Sequence, residues 1–193
     1  MNTRRFAWRI AYLVAAFGIY LVDQVTKAWA VRALRSGESK TLITGFLDLT
    51  YAENPGIAFS QLQKGGSFGR WFFVALAIAA AVAVLFYLFR TTRTDDRMLG
   101  ACALLLAGIV GNLTDRARLG YVIDFILLHY KTYQWPVFNL ADLSICAGAL
   151  LLIYDMFTKR TQDSESRTQE SGVRTQKPSR EQVSIAQESE KPV

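Results

Sequence analysis

The sequence predicts an all-α polytopic membrane protein, with four transmembrane helices and a small extracytoplasmic β-sheet between helices 1 and 2. Three observations carry this expectation. Four apolar runs approach or exceed the length that crosses a bilayer, and basic residues bracket them. The longest loop is rich in β-branched and aromatic residues. The chain has 193 residues, 51% hydrophobic, with a net charge of +6. Residues 1–160 hold 17 Lys/Arg against 10 Asp/Glu, whereas the tail from Thr161 holds 5 against 6. The basic excess therefore sits in the apolar part. That argues against nucleic acid as a partner, because such binders gather their cations on a polar surface.

About 20 mainly apolar residues cross the hydrocarbon core. The four spans are expected at about 6–31, 71–89, 98–113 and 137–157. The second, WFFVALAIAAAVAVLFYLF, carries no charge. The third is short and ends among Asn112, Asp115 and Arg116. The first also has features of a cleavable signal peptide, with Arg4 and Arg5 before an apolar core and Ala28-Trp29-Ala30 as a small-x-small site. Trp29 fits poorly inside such a site, so an uncleaved anchor is expected. Arg4, Arg5 and Arg9 precede span one; Arg90, Arg93 and Arg97 crowd the 90–97 link; Lys159 and Arg160 follow span four. The positive-inside rule then puts both termini in the cytoplasm.

The loop of about 40 residues at 32–70 is far longer than a usual helix connection. Its segment TLITGFLDLTYAENPGIAFS alternates around Leu47, Leu49 and Tyr51, which favours short strands with a turn at Asn54-Pro55-Gly56. The loop 117–136 ends in Tyr130, Tyr133 and Trp135, suited to a membrane-interface belt. After Arg160 the apolar pattern stops. Low hydrophobicity and mixed charge predict a disordered cytoplasmic tail over 161–193, following a four-helix membrane domain over 1–160. Cys102 and Cys146 are expected as buried free thiols. His129 is expected as a solvated or interfacial loop residue, with no metal site around it.

This topology gathers the polar residues of the membrane region on one side. Span one ends there at Asp23 and Lys27, span three at Asn112, Asp115 and Arg116, and span four starts there at Asn139 and Asp142. Asn54 and Asp124 lie on the two outer loops. Each has a structural reading. Asp23 and Lys27 are i,i+4 and form a helix-surface ion pair. Asn139 and Asp142 form a variant capping box, with Asn at the N-cap and an acid three residues on. Ionised carboxylates near hydrocarbon are nevertheless costly and usually functional. Two on one face, Asp124 and Asp142, suit a pair that shares a proton and activates water, which is aspartic peptidase chemistry.

The ordered motifs D-Q-V-T-K (Asp23 to Lys27), N-P-G-I-A-F (Asn54 to Phe59), G-I-V-G-N-L-T-D-R (Gly108 to Arg116), V-I-D-F (Val122 to Phe125) and F-N-L-A-D (Phe138 to Asp142) resemble those of the bacterial lipoprotein signal peptidases, or signal peptidase II. The resemblance covers about residues 8–157. One departure is Ala107-Gly108 where the family often has two glycines. The resemblance implies cleavage of a prolipoprotein just before a diacylglyceryl cysteine, in the bacterial inner membrane, with the active site at the extracytoplasmic face. It implies Asp124 and Asp142 as the catalytic pair, with no cofactor and no metal. Asn54, Asn112, Arg116 and Asn139 would bind substrate backbone or hold the pair. Asp23, Lys27, Gly56, Gly108 and Asp115 would support them. The partners expected are the prolipoprotein and membrane lipid, for an enzyme acting as a monomer. A small proton-coupled transporter is the competing reading, since lone intramembrane carboxylates also bind ions. A non-catalytic assembly protein is the third.

Overall fold

A computed structural model of the chain describes residues 3–56, 68–90 and 95–175. Ile57–Phe59 of the N-P-G-I-A-F motif, Arg93 and residues 176–193 lie outside the described residues. Four helices are long and apolar enough to cross a membrane. They are α1 (Thr3–Leu34), α2 (Phe68–Arg90), α3 (Asp96–Leu119) and α4 (Leu140–Thr175). The chain divides into two compact units, Met1–Leu152 and Ile153–Val193, and the polar constellation lies wholly in the first.

Helix ends follow local chemistry. Asp95 caps α3, its side chain accepting from the Met98 N–H at 3.0 Å, and the helix closes on Gly120 at φ 89°, a left-handed cap suited to glycine. The third span is thus longer than the expected 98–113. Asn112, Asp115 and Arg116 sit inside the helix because their partners lie in the protein, not because the helix has ended. Of the apolar window of α3, 61% is buried, against 17% for α1 and 11% for α2, so α3 is the more enclosed helix. Small residues let it pack closely: Ala16 of α1 meets Ala103 and Ala107, with Tyr12 and Ile19 alongside. On its other side Leu88 of α2 meets Met98, Leu99 and Cys102.

The strands are β1 (Lys40–Ile43), β2 (Leu47–Asn54), β3 (Val122–Tyr130) and β4 (Tyr133–Gln134), forming one antiparallel sheet in the order β1-β2-β3-β4. The sheet is therefore built from both outer loops. Residues 122–130 form its central strand, where the sequence reading had only a loop; V-I-D-F-I-L-L-H-Y is apolar and β-branched enough to pair with β2. The β1–β2 turn falls at Gly45, and β2 ends at Asn54, at the expected turn. Phe138 extends the pairing. Its carbonyl accepts from the Phe125 and Ile126 N–H groups, and its own N–H donates to the Ile126 carbonyl. This fixes the chain entering α4 against the start of β3. Ala30, Leu34 and Phe125 pack with Leu49, Tyr51 and Leu140 beneath that join.

Three expectations are corrected here. His129 is on β3 and pairs through Nε2 with Asp48 Oδ2 at 3.0 Å, largely shielded from solvent. Cys102 is buried as expected, but Cys146 is exposed on α4. The helix α4 continues to Thr175, so disorder from Thr161 does not describe residues 161–175. A helix that already exists propagates into polar sequence without a new nucleation cost.

Candidate active site

Two linked polar clusters occupy the end of α1 and α3 where the sheet docks. The first is centred on Lys27, only 1% exposed. The i,i+4 spacing places Asp23 and Lys27 on one face of α1, turned toward α3. Lys27 Nζ lies 2.9 Å from Asp23 Oδ2, 2.9 Å from Asp115 Oδ2 and 3.0 Å from Asn112 Oδ1. An ammonium has three donors, and these three acceptors use them all. Asp23 Oδ1 also accepts from the Ala141 N–H at 2.9 Å, and Asp115 Oδ2 accepts from the Ile123 N–H at 3.3 Å. The cluster therefore ties α1 to α3, β3 and α4. Glycine permits this approach: a Cβ on Gly111 would stand 2.6 Å from Asp23 Oδ2, and one on Gly108 2.3 Å from the Ala141 carbonyl.

The second cluster holds Asp124 and Asp142. Asp124 is on β3, 1% exposed, opposite Ala52 of β2. Its Oδ2 accepts from Asn54 Nδ2 at 2.9 Å and its Oδ1 from Asn139 Nδ2 at 2.6 Å. Asp142 stands in the first turn of α4. Its Oδ1 accepts from Asn112 Nδ2 at 2.7 Å and its Oδ2 from the Asn139 N–H at 3.2 Å. The Asp142 N–H in turn donates to Asn139 Oδ1 at 3.0 Å, which completes the capping box. The capping reading is realised, and the Asn139 of that box also contacts Asp124.

The amide orientations follow from their neighbours. Asn112 Oδ1 faces an ammonium, which can only donate, so its Nδ2 must face Asp142. Asn139 Oδ1 faces the Asp142 N–H, so its Nδ2 must face Asp124, within reach also of Asn112 Oδ1 and the Ile123 carbonyl. One asparagine thus touches both acids. Neither acid has an ion-pair partner among the described residues. Burial pushes the Asp124 carboxyl up to about 6; the Asp142 charge adds to this, while the Asn54 and Asn139 donors and Lys27 oppose it.

The expected residues divide into those that meet and those beside them. Asp23, Lys27, Asn54, Asn112, Asp115, Asn139, Asp124 and Asp142 form one continuous network. Gly56 donates its N–H to Asn54 Oδ1 at 2.9 Å, steering Nδ2 toward Asp124, and at φ 95° a side chain there would be strained and collide with Phe73. Arg116 does not fork onto a carboxylate; its guanidinium lies over the Phe73 ring at 5.1 Å, within electrostatic reach of Asp142, Asp124 and Asp115. Sequence reasoning did not single out Gln24. Its amide nitrogen reaches Asp23 Oδ2 at 3.2 Å, Asp115 Oδ1 at 3.3 Å and the Gly111 carbonyl at 3.3 Å. Its position one residue after Asp23 was the available signal. Gly111 was also unmarked, although it follows Gly108 by one helical turn.

A family model described as signal peptidase (SPase) II matches residues 15–158. A lipoprotein signal peptidase of Cellvibrio japonicus is 43% identical over 146 residues, covering 76% of this chain and 85% of the relative. One from Pseudoalteromonas atlantica is 40% identical over 156 residues, covering 81% and 94% respectively. A solved structure of a bacterial membrane enzyme, 29% identical, superposes with a TM-score of 0.67 over 79% of this chain and 90% of its own.

Proposed function

The chain belongs to the signal peptidase II family, and from that premise we propose how its own residues carry out the reaction. It is a multi-pass membrane peptidase that removes signal peptides from prolipoproteins. The transport reading finds no support beside these relatives.

In our reading the enzyme is an aspartic endopeptidase with Asp124 and Asp142 as its catalytic pair. The observation that carries this is Asn139, which contacts both buried Asp124 and half-buried Asp142, while no cation among the described residues pairs with either. Asp142 is the base in this reading, standing at the N-terminus of α4 with donors to both of its oxygens. The shared proton resides on Asp124, whose burial favours the neutral form. Asp142 takes a proton from a water held between the acids, and that water attacks the scissile carbonyl carbon. Asp124 gives its proton to the carbonyl oxygen. The tetrahedral diol then expels the amine, which leaves with the proton gained by Asp142, while one diol hydroxyl returns its proton to Asp124 as the new carboxyl group forms. Arg116 supplies positive potential as oxyanion charge develops.

The substrate in this reading bears a diacylglyceryl cysteine, with its acyl chains in lipid and its peptide along the sheet. The site faces the extracytoplasmic side, both termini are cytoplasmic, and the enzyme works as a monomer. Asp124→Asn and Asp142→Asn should each lower cleavage of a diacylglyceryl prolipoprotein by about 10²–10⁴-fold or more, with the protein still inserted and folded. Comparable cleavage by either purified variant would falsify the pair.

A further inference from the structure

Away from the acid pair, the ends of α1 and α3 and the start of β3 enclose a cavity of about 280 Å³. Ala28 and Arg32 line it from α1, one helical turn apart on a shared face; Arg118 and Leu119 line it from α3. Lys27 and Asp115 also contribute to its lining. None of the side chains that touch Asp124 or Asp142 lines it. Lys27 is shared between two carboxylates, which leaves that cluster one formal negative charge. Arg32 and Arg118 are both exposed, and neither has an ion-pair or hydrogen-bond partner among the described residues. The Asp23–Lys27–Asp115 cluster and the two arginines together carry one uncompensated positive charge.

Basic residues in the last turn of a helix offset its dipole, which explains why each helix ends in arginine. The dipole does not explain why the two arginines converge on one cavity beside apolar walls. Depth supplies the rest. Arg32 and Arg118 lie in the last turns of the spans Phe6–Leu34 and Asp96–Leu119, and since about 20 residues cross hydrocarbon these ends reach the level of lipid headgroups.

We propose that this cavity is the headgroup site of one anionic phospholipid. Arg32 and Arg118 fork onto the phosphodiester, a geometry suited to guanidinium groups, and the upper acyl chain lies along Ala28 and Leu119. A single negative charge balances the cluster and the two arginines, whereas a zwitterionic headgroup would bring its ammonium beside two arginines. The proposal does not depend on the catalytic assignment, because no side chain that touches Asp124 or Asp142 lines the cavity.

The test is native mass spectrometry of the full-length protein released from nanodiscs of phosphatidylglycerol and phosphatidylcholine. Wild type should retain one phosphatidylglycerol in preference to phosphatidylcholine. The double variant Arg32→Gln/Arg118→Gln should lose that preference by about tenfold or more, the range expected for charge-assisted hydrogen bonds. Ala28→Trp, which fills the cavity without changing charge, should lose it too. Arg35→Gln removes a cation paired with Glu53 outside the cavity and should retain it. Thermal unfolding of each variant confirms that the fold persists. Equal retention of both lipids by wild type, or unchanged preference in the double variant, overturns the proposal. Displacement of the lipid by millimolar inorganic phosphate also overturns it, since the cavity would then read free phosphate.

Discussion

Two pairs of acids lie side by side in this protein and are treated oppositely. Asp23 and Asp115 share a buried lysine whose three donors are all satisfied, and Gln24 bridges their remaining sides. Asp124 and Asp142 receive only amide donors and share an asparagine. A buried charge beside an ammonium is held in one protonation state and has little chemistry left to do. A buried acid beside another acid, with amides in place of cations, keeps its proton available. We read the first pair as framework and propose the second as machinery. Asn112 joins them, accepting from Lys27 and donating to Asp142, so the framework sets the orientation of the machinery.

The comparison breaks most severely if the cation is removed. Lys27→Met leaves Asp23 and Asp115 as an uncompensated buried pair and should cost about 3–5 kcal/mol of stability, read as a lowered thermal midpoint. A variant as stable as wild type would show that the first pair is not charge-balanced framework. Next is Asn139→Ser, which keeps an N-cap of similar strength but loses the 2.6 Å donor to Asp124. Its stability should change by only a few tenths of a kcal/mol, while cleavage falls by as much as about 10²-fold. If stability and activity fell in parallel, the cap and the acid pair would not be separable. Gly108→Ala drives a Cβ into the Ala141 carbonyl, so overpacking of about 1–3 kcal/mol is expected, with reduced activity through displacement of Asp142. Normal activity in that variant would show that the α3–α4 crossing has slack.

The smallest effect concerns pH. The folded-state value of Asp124, about 6, is raised above the ordinary carboxylate range. Its contribution to stability is therefore full below about pH 3.9 and is lost as pH rises through about 6. Asp124→Asn removes the titration, so the difference in thermal midpoint should move in favour of the variant between pH 5 and pH 7.5. A constant difference across that window would show that Asp124 is not raised.

Four spans, the gathering of polar residues at one end of them and the pairing of Asp23 with Lys27 were legible in the chain. Hydrophobic length and local spacing are properties of short segments, and motif order supplied the rest. The D-Q-V-T-K segment announced an i,i+4 ion pair, and F-N-L-A-D announced a helix start; both exist. What could not be read was which partner each polar group takes across the fold. Lys27 reaches Asp115 because glycines at 108 and 111 let helices close. Asp124 lies on a strand because β2 pairs with residues distant in sequence, and strand preference depends on such neighbours. Arg116 lies over the Phe73 ring, a partner that no local spacing specifies. The sequence by itself determined that costly charges would be buried at one end of a membrane bundle. Tertiary structure alone decided which acids met a cation and which met amides, because hydrogen bonds and ion pairs act over a few ångströms and segment patterns do not specify distances.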